Sequence, residues 1–109
     1  MDIDFIEVAG HASKSGDEYY NRTLTQRRAT AVMDALVGQG VEKNRMRAVG
    51  YGFYCELQPG NDDANRRVEF KILRRAGNDT SVKGGGCEAA DAKGLSGKAI
   101  PASAPSSSK

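Results

Sequence analysis

Apolar and polar positions alternate from Ile3 to Ala9, with Ile6 and Val8 on one face and Phe5 on the other, and the run stops at Gly10. A period of two in β-rich residues predicts a strand that runs into a loop. Beyond the polar stretch from His11 to Asn21 the period changes. Leu24, Val32, Ala35 and Leu36 fall on one stripe at about 100° per residue, which predicts a helix of about 14 residues between Leu24 and Gly40. Thr25 is expected to cap its first turn, Leu24 to act as the preceding apolar staple, and Gly40 to take the left-handed position after its end. Two further strands are predicted at Arg45–Tyr51 and Arg66–Leu73, separated by a loop containing Cys55, Pro59 and Gly60. The order strand, helix, strand, strand is that of an α+β domain, a mixed sheet packed with a helix. One helix covers only one face of such a sheet, so the other face needs a separate cover.

Composition sets the limits of the folded unit. The chain has 109 residues, 39% of them apolar, and a formal charge of +2. That is one small domain, too evenly charged for the basic footprint that nucleic-acid binding requires. No apolar run is long enough to cross a membrane, and the first ten residues lack the pattern of an export signal. Past Ala76 the only large aliphatic residues are Val82, Leu95 and Ile100. Residues 77–109 are therefore expected to form a disordered tail rich in Gly, Ser and Ala, because so little apolar surface cannot offset about 1–2 kcal/mol of backbone entropy per residue. The folded domain is expected to span residues 1–76.

Few side chains suggest chemistry. Arg28 falls inside the apolar stripe of the predicted helix, whereas Arg27 points away from it. Either Arg28 carries its charge past the edge of the stripe or pairs with Asp17 or Glu18, or it serves an anion. With Thr25 as the cap, Arg28 is the third helical residue, where unpaired N–H groups and the helix dipole favour a carboxylate or phosphate. His11 is the only histidine and no Cys lies near it, so no metal site is expected. Ser13 and Ser15 lie close to His11 in sequence, but nothing marks a nucleophile turn or an orienting carboxylate, which argues against an enzyme. Gly50–Phe53 (GYGF) follows a strand without opening a helix, so a tight turn is expected there, not a phosphate loop. Arg66 and Arg67, with Arg74 and Arg75, read as a solvated strand edge. Cys55 and Cys87 can bridge in an oxidising compartment or remain free thiols.

Four segments in order resemble one known family: Gly10–Gly16 (GHASKSG) with Asn21, Leu24–Ala29 (LTQRRA), Ala48–Gly52 (AVGYG) and Asn65–Phe70 (NRRVEF). Over about residues 3–73 the chain resembles the OmpA-like (OmpA/MotB C-terminal) peptidoglycan-associating domain. The resemblance implies non-catalytic binding of the diaminopimelate-containing peptide stem of peptidoglycan, with no cofactor. It implies anchoring of an envelope protein to the cell wall in the periplasm, associated with the outer membrane through an upstream region, and other envelope proteins as further partners. It also implies that Arg28 clamps the diaminopimelate carboxylate and that Ser13, Asn21, Asn65, Arg66 and His11 line the site. Family members commonly have Thr and Asp where this chain has Ala12 and Ser13. The counter-charge for the ligand's ammonium is thereby replaced by a neutral hydroxyl, a change worth about 1.5–3 kcal/mol at a partly desolvated site. An alternative is that the domain is a degenerate copy serving as a protein–protein scaffold. Family domains also begin with a strand and a helix ahead of the Gly-His strand, so the chain is expected to be an N-terminally truncated form.

Overall fold

The computed structural model describes residues 3–13, 16–55, 65–80 and 87–93. Strand β1 (Ile3–His11) is followed by helix α1 (Glu18–Gly38), a single 3-10 turn, and strands β2 (Met46–Gly50), β3 (Arg67–Arg75) and β4 (Asn78–Asp79). A five-residue helix, α2 (Glu88–Ala92), comes last among the described residues. The sheet order is β2-β1-β3-β4, with β1 parallel to β2 and antiparallel to β3. The fold is α+β with a mixed sheet, and α1 is the crossover that parallel strands require.

The helix starts earlier than its apolar stripe suggests. Asp17, not Thr25, is the N-cap: its carboxylate accepts the Tyr20 N–H at 2.8 Å, and Glu18 places a negative charge in the first turn. The expected end is observed, with Gly40 at φ 98° just past the cap residue Gln39. The row that faces the sheet is Asn21, Thr25 and Ala29, spaced four residues apart and buried. Leu24, Val32 and Leu36 are only half-buried, and Ala35 is exposed.

This small, polar row lets the helix approach the sheet very closely. Gly10 and Gly50 are register partners on β1 and β2. A Cβ on Gly10 would lie 2.3 Å from the Thr25 carbonyl oxygen, and one on Gly50 would lie 2.2 Å from the Gln26 backbone nitrogen. Gly50 therefore belongs to a helix–strand contact, and the turn expected from the same motif falls at Gly52 (φ 60°). Side chains of the helix then bond to strand backbone. The Thr25 hydroxyl donates to the Asn21 carbonyl at 2.8 Å and accepts the Gly52 N–H at 2.9 Å. The Gln26 amide donates to the Ala48 carbonyl and accepts the Gly50 N–H, both at 2.9 Å, so it pairs with the outer edge of β2 much as a further strand would.

The opposite face of the sheet carries Phe5, Glu7, Ala9 and His11, and its cover comes from the segment expected to be disordered. Cys55 and Cys87 form a disulfide with Cα atoms 5.7 Å apart. Ala90 of α2 packs with Ala9, Tyr51 and Cys55 in a buried cluster joined by Val49, Tyr54 and Cys87. The 32-residue span closed by the bridge would contribute about 3–4 kcal/mol by restricting the unfolded chain. Composition could not show this cover, because one alanine and one cross-link do what a run of aliphatic residues would otherwise do.

Nor does the sheet end at Ala76. Ala76 and Gly77, both at positive φ (51° and 82°), form a two-residue hairpin loop into β4, and the Gly77 N–H bonds to the buried Asp4 carboxylate at 2.7 Å. Residues 81–86 and 94–109 of the expected tail lie outside the described residues.

Candidate functional site

Where β1 ends, the chain turns away from the sheet toward the start of α1, and a cleft of about 250 Å³ opens between that loop, the helix and the start of β3. The loop contributes Ala12, Ser13 and Gly16, and the residue ahead of β3 contributes Arg66. From the helix come Tyr20, Leu24 and Arg28, a row at four-residue spacing beside the buried row, together with Asn21. Ser13 and Asn21 are buried, while Arg28 and Arg66 are exposed. The Asn21 amide donates to the Asp17 carbonyl at 2.9 Å, which ties the wall of the cleft to the helix cap.

Among the described residues, two guanidinium groups line this cleft and no carboxylate does. Arg28 has no ion-pair or hydrogen-bond partner among the described residues. The two acids expected as its partners are engaged elsewhere: Asp17 caps the helix, and Glu18 accepts the Tyr54 hydroxyl and lies 3.6 Å from the Lys93 ammonium. Pairing of Arg28 with either acid is therefore not seen. The positive end of the helix dipole also plays no part, because Arg28 stands ten residues after Glu18, roughly 15 Å along the axis. The arrangement can receive an anion through the arginine side chains themselves, and a planar carboxylate suits the donor fork of a guanidinium.

Of the six residues expected to line the site, Arg28, Ser13, Asn21 and Arg66 meet at the cleft. Asn65 is buried next to Arg66 and is not part of the lining. His11 is the clear departure: it points to the far face of the sheet, 1% exposed, with its ring stacked on Tyr51 at 5.4 Å. Strand alternation explains this, since His11 shares the face of Ala9 and Glu7. Neither ring nitrogen has a hydrogen-bond partner among the described residues, and Nε2 lies 3.6 Å from a Glu69 carboxylate oxygen. Burial, reinforced by the Arg67 charge, lowers the His11 pKa from 6.5 to about 4, so the ring is neutral near pH 7.

Around His11 the far face is ionic. Glu7 is buried and bound by Arg47 and by the Tyr51 hydroxyl, each at 2.9 Å, and Arg67 pairs with Glu69 at 2.6 Å. His11 and Ser13 thus lie on different sides of the structure, and Ser15 is outside the described residues. No group of three or more metal-ligating side chains is found among the described residues, and no described helix is long and apolar enough to cross a membrane. Tyr20 and Leu24 are the cleft residues that the sequence pattern misses, because an exposed tyrosine and a leucine at helical spacing carry no distinctive signal.

A family model described as "OmpA family" matches residues 2–69. Outer membrane porin F of Pseudomonas fluorescens is 44% identical over 78 residues, which cover 65% of this chain and 23% of the porin. The peptidoglycan-associated lipoprotein of Legionella pneumophila is 39% identical over 69 residues, covering 60% of this chain and 39% of the lipoprotein. Among solved structures, the peptidoglycan-associated lipoprotein from Burkholderia pseudomallei aligns with a TM-score of 0.57 and 36% identity, over 61% of this chain and 59% of that one. The chain thus spans well under half the length of these two curated relatives.

Proposed function

The chain belongs to the OmpA family, and from that premise we propose that it binds the peptide stem of peptidoglycan without catalysis and so holds an envelope protein to the cell wall. The names of two similar proteins, each called a peptidoglycan-associated lipoprotein, support the ligand class. One observation carries the reading: among the described residues, an exposed arginine without a partner stands in a cleft lined by a second arginine and by no acid. In this reading the Arg28 guanidinium takes the free carboxylate of the diaminopimelate side chain. Arg66 adds a second positive charge, and Ser13 and Asn21 supply polar contacts from the wall. The site of action would be the periplasm, at the outer membrane.

Arg28→Ala is expected to weaken binding of purified sacculi or of a diaminopimelate-containing peptide by about a hundredfold, the usual effect of removing a charged partner from a desolvated pair. The thermal melt should hardly change, because Arg28 supports no described contact. Undiminished capture by sacculi would show that the site lies elsewhere.

One feature of the cleft favours the scaffold reading instead. Among the described lining residues a diaminopimelate ammonium meets no carboxylate, and the neutral Ser13 stands where the family commonly has Asp. Ser13→Asp should therefore tighten sacculus binding about tenfold by restoring a charge-assisted partner. If neither the wild type nor Ser13→Asp binds sacculi, an envelope protein with an exposed carboxylate becomes the better candidate for the cleft.

A further inference from the structure

A second cleft, of about 240 Å³, lies on the outer side of α1 and is lined by Tyr19, Tyr20, Thr23, Leu24 and Arg27. It shares Tyr20 and Leu24 with the arginine cleft, so the two form one continuous surface. Tyr19 and Tyr20 are 77% and 61% exposed, two adjacent rings that pack against little of their own protein. Tyr19, Thr23 and Arg27 make a third row at four-residue spacing, outside the row that ends in Arg28.

We propose that this outer cleft is a saccharide subsite, taking the N-acetylated pyranose ring to which the peptide stem is attached; the proposal rests on the peptidoglycan reading above. The chemistry of the lining fits such a ring. A pyranose presents an apolar C–H face that packs flat on an aromatic ring, while its hydroxyl and acetamido oxygens project from the rim as acceptors. Tyr19 and Tyr20 offer aromatic faces, and Thr23 and Arg27 offer donors at the edge.

Length also agrees. Tyr20 and Arg28 are eight residues apart on the helix, about 12 Å along its axis. An extended stem spans roughly 10 Å from its sugar to its third residue, the diaminopimelate, at about 3.3–3.6 Å per residue. With the diaminopimelate carboxylate on Arg28, a stem lying toward the helix N-terminus brings its sugar to the two tyrosines. A lipid surface fits less well, because among the described residues the patch has two rings, one leucine and a cation but no extended apolar face.

The test is calorimetric titration of the chain with two probes: the free stem tripeptide ending in diaminopimelate, and the same tripeptide carried on N-acetylmuramic acid. The sugar-bearing probe should bind about three- to tenfold tighter, the contribution expected of one aromatic contact. Tyr19 is absent from the arginine cleft, so Tyr19→Ala should erase that advantage while leaving the affinity for the free tripeptide within about twofold. As a check that needs no variant, saturation transfer from the tyrosine rings should reach the sugar protons of the bound probe. Equal affinity of the wild type for both probes overturns the subsite alone. So does a Tyr19→Ala protein that weakens both probes alike or keeps the full sugar advantage, or an absence of transfer to the sugar. If neither probe binds, the peptidoglycan reading falls and the subsite falls with it.

Discussion

Alanine at Gly50 is expected to unfold the domain, or at the least to cost more than about 3 kcal/mol, at the upper end of what overpacking does in protein cores. The added methyl carbon would stand 2.2 Å from the Gln26 nitrogen, 2.6 Å from its Cα and 2.7 Å from the Thr25 hydroxyl oxygen. Two of these three atoms are backbone, so no side-chain rotation relieves the clash and the helix itself must move. Moving it breaks the bonds from Gln26 to Ala48 and Gly50 and from Thr25 to Gly52, which together dock α1 on β2. Domains of this size are stable by only about 5–15 kcal/mol. Gly38→Ala is the internal control. Nothing lies within 4 Å of its added Cβ, and at the last helical position the change should be neutral or stabilising by up to about 1 kcal/mol. Thermal or urea melts of both variants decide the matter. A Gly50→Ala protein that melts with the wild type would mean that helix and strand do not lie this close.

The same contact explains which parts of the fold were legible in the sequence. β1, β2 and β3 were found by their alternation, and the end of α1 by Gly40, because these signals are local. The periodicity puts the N-cap of α1 at Thr25, eight residues past the observed Asp17, since the row the helix buries is Asn21, Thr25 and Ala29, which hydrophobic periodicity cannot detect. A helix that packs on glycines has no need of large apolar residues on that face. Ser-Gly-Asp-Glu at residues 15–18 did hold the correct signal, an N-cap aspartate followed by an acidic first turn. Arg28 was singled out by the helical wheel for a reason the structure replaces. It stands in the third turn on the rim of a cleft, not at the dipole's positive end. The cover of the far face was illegible for a different reason. Its contact with Ala9 and Tyr51 depends on a bridge between Cys55 and Cys87 that spacing permits but does not require.

His11 shows what that covered face means for acid stability. The folded protein holds its imidazole neutral, with the pKa lowered from 6.5 to about 4 by burial first and by the Arg67 charge second. The unfolded chain binds a proton near 6.5, so between these values it takes up more proton than the folded one, and stability falls as pH falls. The contribution is fully present above about pH 6.5 and is lost progressively toward about pH 4, amounting to about 3 kcal/mol at roughly 1.4 kcal/mol per pH unit. The groups facing His11 do not offset this: Glu69 and Glu7 favour the protonated ring, but Arg67, Lys71 and the loss of water outweigh them. Burial also opposes the charge on Glu69, yet the Arg67 hydrogen bond and charge prevail and hold its pKa below the ordinary 4.5, so its own contribution is lost only at lower pH. His11→Phe separates the two groups, because it keeps a ring against Tyr51 and removes both unpartnered nitrogens. Melts from pH 7.5 down to 4.5 should show a falling Tm for the wild type and a much flatter profile for His11→Phe. Parallel profiles for the two proteins over that window would assign the acid sensitivity to other groups and place the His11 ring in water rather than buried against Tyr51.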